Sequence, residues 1–99
     1  MPHGGIRRKV IEPDGRAVVL TNEAWFHITL GHPEMARYES EIMETITNPT
    51  DRTSDTRPGR ERYFADGVGP SRFLGVVVDF NDDPGQGEVV TAFGHRNER

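Results

Sequence analysis

Residues 33–49 read PEMARYESEIMETITNP and contain the clearest periodic pattern in the chain. Pro33 suits the first turn of a helix, and Pro49 forces the residue before it out of the helical region. Between them the apolar side chains recur at steps of three, four and four, which is the spacing of one helix face. These positions are Met35, Tyr38, Ile42 and Ile46. The stretch therefore predicts a helix that packs one stripe against a core and exposes the rest.

A shorter helix is predicted immediately before this one. Thr21 or Asn22 can cap its N-terminus, and Gly31 can end it. Its apolar residues fall on two sides, with Ala24, Trp25 and Ile28 on one and Phe26 and Leu30 on the other. We therefore expect this helix to be largely enclosed.

Extended segments lie on both sides of the two helices. Pro13-Asp14-Gly15 is a turn signal between strand candidates at 7–11 and 16–20, which predicts a short hairpin. Further strand candidates cover 60–64, 72–80 and 88–93, separated by polar or glycine-rich loops. The order of a hairpin, two helices and an antiparallel β meander is typical of the α+β class.

Length and composition limit the chemistry. The chain has 99 residues, which predicts one domain over 1–99, with flexible ends at 1–5 and 95–99. It has no cysteine, which excludes disulfides, thiolate zinc sites and a thiol nucleophile. Chemistry is therefore left to histidine, arginine, tyrosine, hydroxyl and carboxylate groups.

Charge and hydropathy indicate which partners to expect. Twelve basic and 16 acidic residues give a net charge of −4, which argues against tight non-specific binding of duplex DNA but allows a local basic cleft. No run of about 18 apolar residues and no secretory signal is visible, so we expect a cytoplasmic protein without a membrane partner.

Two histidines flank the junction between the predicted helices. His27 can act as a general acid or base near neutral pH if its ring faces a cleft. The alternative is structural, with His27 at the edge of the core and His32 capping the first helix. A metal shared by the two is a weaker interpretation, because residues five apart lie on different sides of a helix.

Arginines cluster around the first two strands of the meander, at positions 57, 60, 62 and 72. In a strand, Arg60, Arg62 and Phe64 point one way and Glu61 and Tyr63 the other. Such a set can bind phosphate through bidentate arginine, or it can be the charged guard of an edge strand.

The last strand offers a hydroxyl. Val89, Thr91 and Phe93 are predicted to share a face, and His95 follows directly. Thr91 is either an ordinary β-branched strand residue or a group that orients a phosphoryl oxygen. Asp79 either begins a solvated loop or points at a histidine.

Taken together, several of these stretches resemble the small phage- and toxin-associated domains of the barnase, EndoU, colicin and RelE nuclease superfamily. The resemblance runs over residues 21–93. The stretches that carry it are Trp25-Phe26-His27-Ile28, Gly31-His32-Pro33-Glu34-Met35, Ile46-Thr47-Asn48-Pro49, Arg62-Tyr63-Phe64, Leu74-Gly75-Val76-Val77-Val78-Asp79-Phe80 and Val89-Val90-Thr91-Ala92-Phe93.

The resemblance implies helices before a four-stranded antiparallel sheet, and an endoribonuclease that needs neither metal nor cofactor. In such enzymes the 2′-hydroxyl attacks the adjacent phosphorus and leaves a 2′,3′-cyclic phosphate. By position, His27 matches a helix-borne catalytic histidine, Thr91 a polar strand residue, and Arg62 and Tyr63 phosphate ligands. Supporting substrate contacts are expected from His32, Arg60, Arg72 and His95.

The partner implied is RNA, with a cognate antitoxin or immunity protein as a second one, and the oligomeric state is left open. The alternative from another class is a non-catalytic interaction module on the same fold, whose acidic second helix meets a basic partner. A histidine-bound metal enzyme is the third interpretation.

Overall fold

The computed structural model describes residues 5–94, which contain nine helices and strands joined by turns and loops. Two strands come first, then the helices, then four more strands. The bounds are β1 Ile6–Ile11, β2 Ala17–Thr21, α1 Asn22–Gly31, a 3₁₀ helix Pro33–Arg37, α2 Glu39–Thr47, β3 Asp51–Ser54, β4 Arg60–Asp66, β5 Phe73–Asp79 and β6 Gln86–Phe93. The α+β class is confirmed, and no helix among the described residues is long and apolar enough to cross a membrane.

All six strands belong to one mixed sheet in the order β1-β2-β6-β5-β4-β3. Every neighbouring pair is antiparallel except β2 with β6, which run parallel. The predicted hairpin is present as β1 and β2, and β3 to β6 form an antiparallel meander of four strands. The parallel β2–β6 contact joins the two into one mixed sheet, so the prediction of a four-stranded, fully antiparallel sheet is wrong for the sheet as a whole. The apolar segment Val18–Leu20 of the hairpin is buried by joining the edge of β6. The sequence pattern did not predict β3, which lies in the polar stretch before β4.

Of the three described helices, only α1 begins at a side-chain cap. Thr21 caps α1, because its hydroxyl oxygen accepts a hydrogen bond of 3.0 Å from the amide of Ala24. The long second helix predicted from Pro33 onward is divided in two. Tyr38 lies between the 3₁₀ helix and α2 with a ψ angle of 24°, outside the α-helical range, so α2 begins only at Glu39.

The prediction that α1 is enclosed is wrong. One side of α1 packs against the sheet and buries Ile28, whereas Phe26 is 58% exposed and Leu30 is 67% exposed. The reason is the single layer of helices, since no described element lies on the outer side of α1.

The main core lies between the helices and one side of the sheet, which we call the helix face. It contains Ile28, Met35, Ile42 and Ile46 from the helices, and Tyr63, Leu74, Val76, Val78 and Ala92 from the strands. The opposite side, the open face, has a smaller cluster made only of strand residues: Phe64, Phe73, Val77 and Phe93. The Phe64 and Phe73 rings stack with centroids 5.6 Å apart, so the aromatic rings shield one another.

A β-bulge changes the alternation of β6. Val77 pairs with Thr91, but the next residue, Val78, pairs with Val89, so Val90 is an extra residue. Val89 consequently faces the main core, while Thr91 lies opposite Val77 of the open face. The prediction that Val89 shares a face with Thr91 and Phe93 is therefore wrong for Val89.

Candidate functional site

The open face holds one row of residues that joins two of the predicted site residues. Across neighbouring strands, Arg62 of β4 pairs with Val77 of β5, and Val77 pairs with Thr91 of β6. Thr53 of β3 continues the row on the other side of Arg62. Because strands are about 4.8 Å apart, Arg62 and Thr91 lie about 10 Å apart with the small side chain of Val77 between them.

Arg62 is held by a carboxylate. Its Nε donates to Asp55 Oδ1 at 2.5 Å, and this bond, with backbone amides of the 55–57 turn, keeps the pKa of Asp55 below its usual value. A guanidinium has five N–H donors, and the bond to Asp55 uses only the one on Nε. The terminal nitrogens of Arg62 are therefore oriented and left with donors for a second anion.

A shallow cleft of about 410 Å³ opens beside Arg62. Its other lining residues include three hydroxyl side chains and one ring, namely Thr53, Ser54, Thr56 and Phe64, together with Asp51. Hydroxyls donate to phosphate oxygens, so this cleft suits an anion that Arg62 also contacts.

The cleft beside Arg60 has the opposite character. Arg60 Nε donates to Asp79 Oδ2 at 2.8 Å. This cleft has a volume of about 260 Å³, and its lining also includes the carboxylates of Asp82 and Glu88. The second Asp79 oxygen accepts the amide of Asn81, so Asp79 begins the loop and binds an arginine rather than a histidine. Arg60 is thus surrounded by negative charge and is the weaker phosphate ligand of the two.

Tyr63 lies on the other side of the sheet from Arg62. Its ring is fully buried in the main core, and its hydroxyl donates to Glu12 Oε1 at 2.9 Å. Burial and this carboxylate both raise the pKa of Tyr63 well above its usual value. The Tyr63 hydroxyl is therefore bonded to the buried carboxylate of Glu12 and does not lie beside Arg62.

Glu12 is the group that sequence reasoning missed. Burial on its own would raise the pKa of this carboxyl, but hydrogen bonds from the side chain and amide of Arg16 and from Tyr63 outweigh it and lower the pKa to about 2. Glu12 is therefore a fully buried, ionised carboxylate. Its position next to the Pro13-Asp14-Gly15 turn was visible, but no sequence signal links it to a tyrosine 51 residues later.

Further ion pairs extend this buried group into a network. Arg52 Nη2 contacts Glu61 at 2.6 Å, Asp14 at 3.0 Å and Glu12 at 3.4 Å. Glu12 follows β1 and Arg52 lies in β3, which are the two opposite edges of the sheet. The sheet must therefore curve around the main core at this end, and the network connects the hairpin to the meander.

The two described histidines lie away from Arg62 and Thr91. His27 is on the outer side of α1, with its side chain 64% exposed, Nε2 3.9 Å from Glu23 Oε2 and its ring edge against Phe26. His32 ends α1, where its backbone amide donates to the Ile28 carbonyl at 2.7 Å, and its Nδ1 lies 3.5 Å from Glu34. His27 is therefore neither in a cleft with Thr91 nor buried in the core.

Arg72, another predicted contact, lies at the end of the sheet where β5 begins. Arg72 is exposed in the turn before β5 with a positive φ of 60°, and its amide donates to the Gly69 carbonyl. His95 and the two predicted flexible ends, apart from Gly5, lie outside the described residues. Within residues 5–94, no cluster of three or more histidine, aspartate or glutamate side chains is arranged to hold a metal ion.

The structure thus brings together Arg62 and Thr91 and separates them from His27 and Tyr63. No protein-family model matches this chain, and no curated protein and no solved structure matches it either.

Proposed function

We propose that this chain is a metal-independent endoribonuclease that binds RNA across the open face of its sheet. The observation that carries the proposal is the pairing of Arg62 and Thr91 in one row of that face, on either side of Val77. A phosphodiester above Val77 lies within reach of both side chains, with the hydroxyl-lined cleft beside Arg62 receiving the next part of the strand.

Arg62 supplies the positive charge in this arrangement. Asp55 fixes the Nε side of the guanidinium, so that its terminal nitrogens can bind two phosphate oxygens. Thr91 adds a neutral donor, because its hydroxyl makes no hydrogen bond with another described residue. Both groups stabilise the negative charge that grows on the phosphorane during attack by the 2′-hydroxyl.

Two proton transfers complete the reaction. The 2′-oxygen loses a proton as it bonds to phosphorus, and the leaving 5′-oxygen gains one as its bond breaks. Asp55 and Asp79 are the carboxylates paired with arginines of the open face, and their lowered pKa values keep them ionised at neutral pH. They can accept a proton but not donate one. The resemblance implies that His27 is a general acid or base, but His27 lies on α1, away from this row. The proposal therefore takes the proton for the leaving 5′-oxygen from solvent water, and substitution of His27 tests the role of that residue separately.

The experiment is cleavage of single-stranded RNA in EDTA, with detection of 2′,3′-cyclic phosphate ends. Arg62→Ala and Thr91→Val should each lower the rate about a hundredfold to a thousandfold, in the range seen when one donor to a developing oxyanion is removed. Arg37→Ala removes an exposed arginine from the 3₁₀ helix, and Thr29→Val removes a hydroxyl from α1, so both controls should retain full activity.

The substitution His27→Ala tests whether this histidine takes part in cleavage. A loss of about two to four decades would place the reacting phosphate beside α1 and contradict the open-face site, whereas full activity is expected if RNA reacts above Val77. Cleavage that is abolished by EDTA, or that persists in Arg62→Ala and Thr91→Val alike, would overturn the proposal.

A second candidate function is a non-catalytic interaction module. It is favoured by the pairing of Arg60 and Arg62 with carboxylates and by the position of His27 and His32 away from them. A folded protein that neither cleaves nor binds RNA would support this candidate.

A further inference from the structure

The outer side of α1 exposes two large apolar side chains one helical turn apart. Phe26 and Leu30 are more than half exposed. Among the other large apolar side chains of residues 5–94, only Ile6 and Ile11 are also more than half exposed. Residues four apart lie next to each other on a helix surface, so Phe26 and Leu30 form one ridge. We call Glu23, Phe26, His27 and Leu30 the α1 patch.

The α1 patch has a polar border on one side. Glu23 and His27 lie four apart beside the apolar ridge, with Nε2 of His27 3.9 Å from Glu23 Oε2. The His27 ring meets the Phe26 ring edge to face, with centroids 5.9 Å apart. Contiguous exposed apolar groups bordered by polar ones are characteristic of protein interaction surfaces.

The helix layer that carries the patch has an excess of negative charge. Residues 22–47, which span α1, the 3₁₀ helix and α2, contain five glutamates and one arginine. Of these glutamates, Glu39 is already paired with Arg7 at 2.6 Å, whereas Glu23, in the first turn of α1, and Glu34, in the 3₁₀ helix that follows it, have side chains 63% and 40% exposed. A complementary surface is therefore positively charged around an apolar centre.

We propose that the α1 patch docks a positively charged amphipathic helix of a partner protein. The Phe26–Leu30 ridge runs along an i, i+4 row, and helices pack by placing such ridges into the grooves of another helix. Lysine or arginine side chains on the polar side of the docked helix would lie against Glu23 and Glu34. This surface lies on the helix layer, apart from the open face proposed for RNA.

The same charges disfavour the other occupants. A second copy of the chain would bring its own glutamates against Glu23 and Glu34, which like charges disfavour. RNA and an anionic membrane are also negatively charged and would be repelled by the same two side chains. These occupants are therefore outcomes of the test that would contradict the proposal.

The probe is a fluorescent amphipathic helical peptide made of leucine and lysine, with binding followed by anisotropy. Two control peptides are a scrambled leucine–lysine sequence without a helical apolar face and a leucine–glutamate helix. We expect the leucine–lysine helix to bind, the scrambled peptide to bind at least tenfold more weakly, and the leucine–glutamate helix not to bind.

Variants locate the binding on α1. The double variant Phe26→Ser/Leu30→Ser should raise the dissociation constant at least tenfold, and Glu23→Lys should raise it several-fold at low salt. The matched control Ile6→Ser/Ile11→Ser removes equally exposed apolar groups from β1 and should bind like the wild type. Arg62→Ala should also bind normally, which separates this inference from the proposed RNA cleavage.

Any one of four results would overturn the proposal. The first is equal weakening by the α1 and β1 double variants, the second is equal binding of the leucine–glutamate helix, and the third is no binding of the leucine–lysine helix to a wild-type chain whose circular dichroism shows it to be folded. A wild-type dimer that Phe26→Ser/Leu30→Ser converts to a monomer would assign the patch to a second copy and also contradict it.

Discussion

The buried carboxylate of Glu12 predicts a particular dependence of stability on pH. Its pKa falls from 4.5 to about 2 on folding, because Arg16 and Tyr63 bind the charged form. A carboxyl with a lowered pKa stabilises the protein above its unfolded value and loses that contribution as pH falls toward the folded value. At about 1.4 kcal/mol per pH unit, the ionised carboxylate contributes about 3 kcal/mol at pH 7.

The perturbation that tests this contribution is Glu12→Gln, which keeps the size of the side chain and removes its charge. We expect the free energy of unfolding to fall by about 3 kcal/mol at pH 7, a large part of the roughly 5–15 kcal/mol typical of a domain. At pH 3 the wild-type carboxyl is almost fully protonated in the unfolded chain but still mostly ionised in the folded one, so the same substitution should cost only about 1.4 kcal/mol.

The assay is urea unfolding of both proteins, followed by circular dichroism at pH 7 and pH 3. The control is Glu88→Gln, because Glu88 is an exposed residue of β6 that lines the acidic cleft, so its charge is already in contact with water. A cost of Glu12→Gln below about 1 kcal/mol at pH 7, or an equal cost at the two pH values, would refute the reasoning about this network.

Two further substitutions test the packing around the candidate site. Tyr63→Phe removes only the hydroxyl that donates to Glu12, so it should cost about 1.5–3 kcal/mol in urea unfolding and leave RNA cleavage unchanged; a loss of cleavage with normal stability would return Tyr63 to the catalytic group. Gly75→Ala should cost about 1–3 kcal/mol, since a Cβ at position 75 would overlap the Phe93 ring lying over it, and an unchanged melting temperature would contradict that packing.

Local patterns in the sequence predicted much of this fold. The spacing of Ile42 and Ile46 and the capping side chain of Thr21 are short-range signals, and the structure confirms both. Strand alternation also assigned Arg62 and Tyr63 to opposite sides of the sheet, because the period of two needs no knowledge of neighbouring strands. Only the presence of helices on one side then determined that Arg62 is accessible and Tyr63 is buried.

Features that depend on long-range pairing could not be predicted. The parallel contact of β2 with β6 joins segments almost 70 residues apart, as with Val18 and Gly87, and nothing local specifies it. The bulge at Val90 reverses the side on which Val89 lies, although the run of valines reads as regular. The hydrogen bond between Glu12 and Tyr63 depends on the curvature of the whole sheet, so the sequence around either residue could not predict it.

The candidate site was predicted in part for the same reason. Arg62 and Thr91 are on different strands, and the resemblance implied a role for each. Only the pairing of both residues with Val77 shows that they lie in one row of the sheet. The resemblance implied that His27 acts with them. In the structure, α1 packs on the helix face and exposes His27 there, on the opposite side of the sheet from Arg62 and Thr91.

The central claim is that RNA binds across the row Arg62, Val77 and Thr91, and NMR tests it most directly. A uniformly ¹⁵N-labelled chain would be titrated with a short 2′-O-methyl RNA, which cannot form the cyclic phosphate and therefore cannot be cleaved. We predict amide shifts at Arg62, Val77 and Thr91 that saturate with RNA and weaken with salt, with little change at Phe26. Shifts confined to α1, or no shifts at millimolar RNA, would contradict the account.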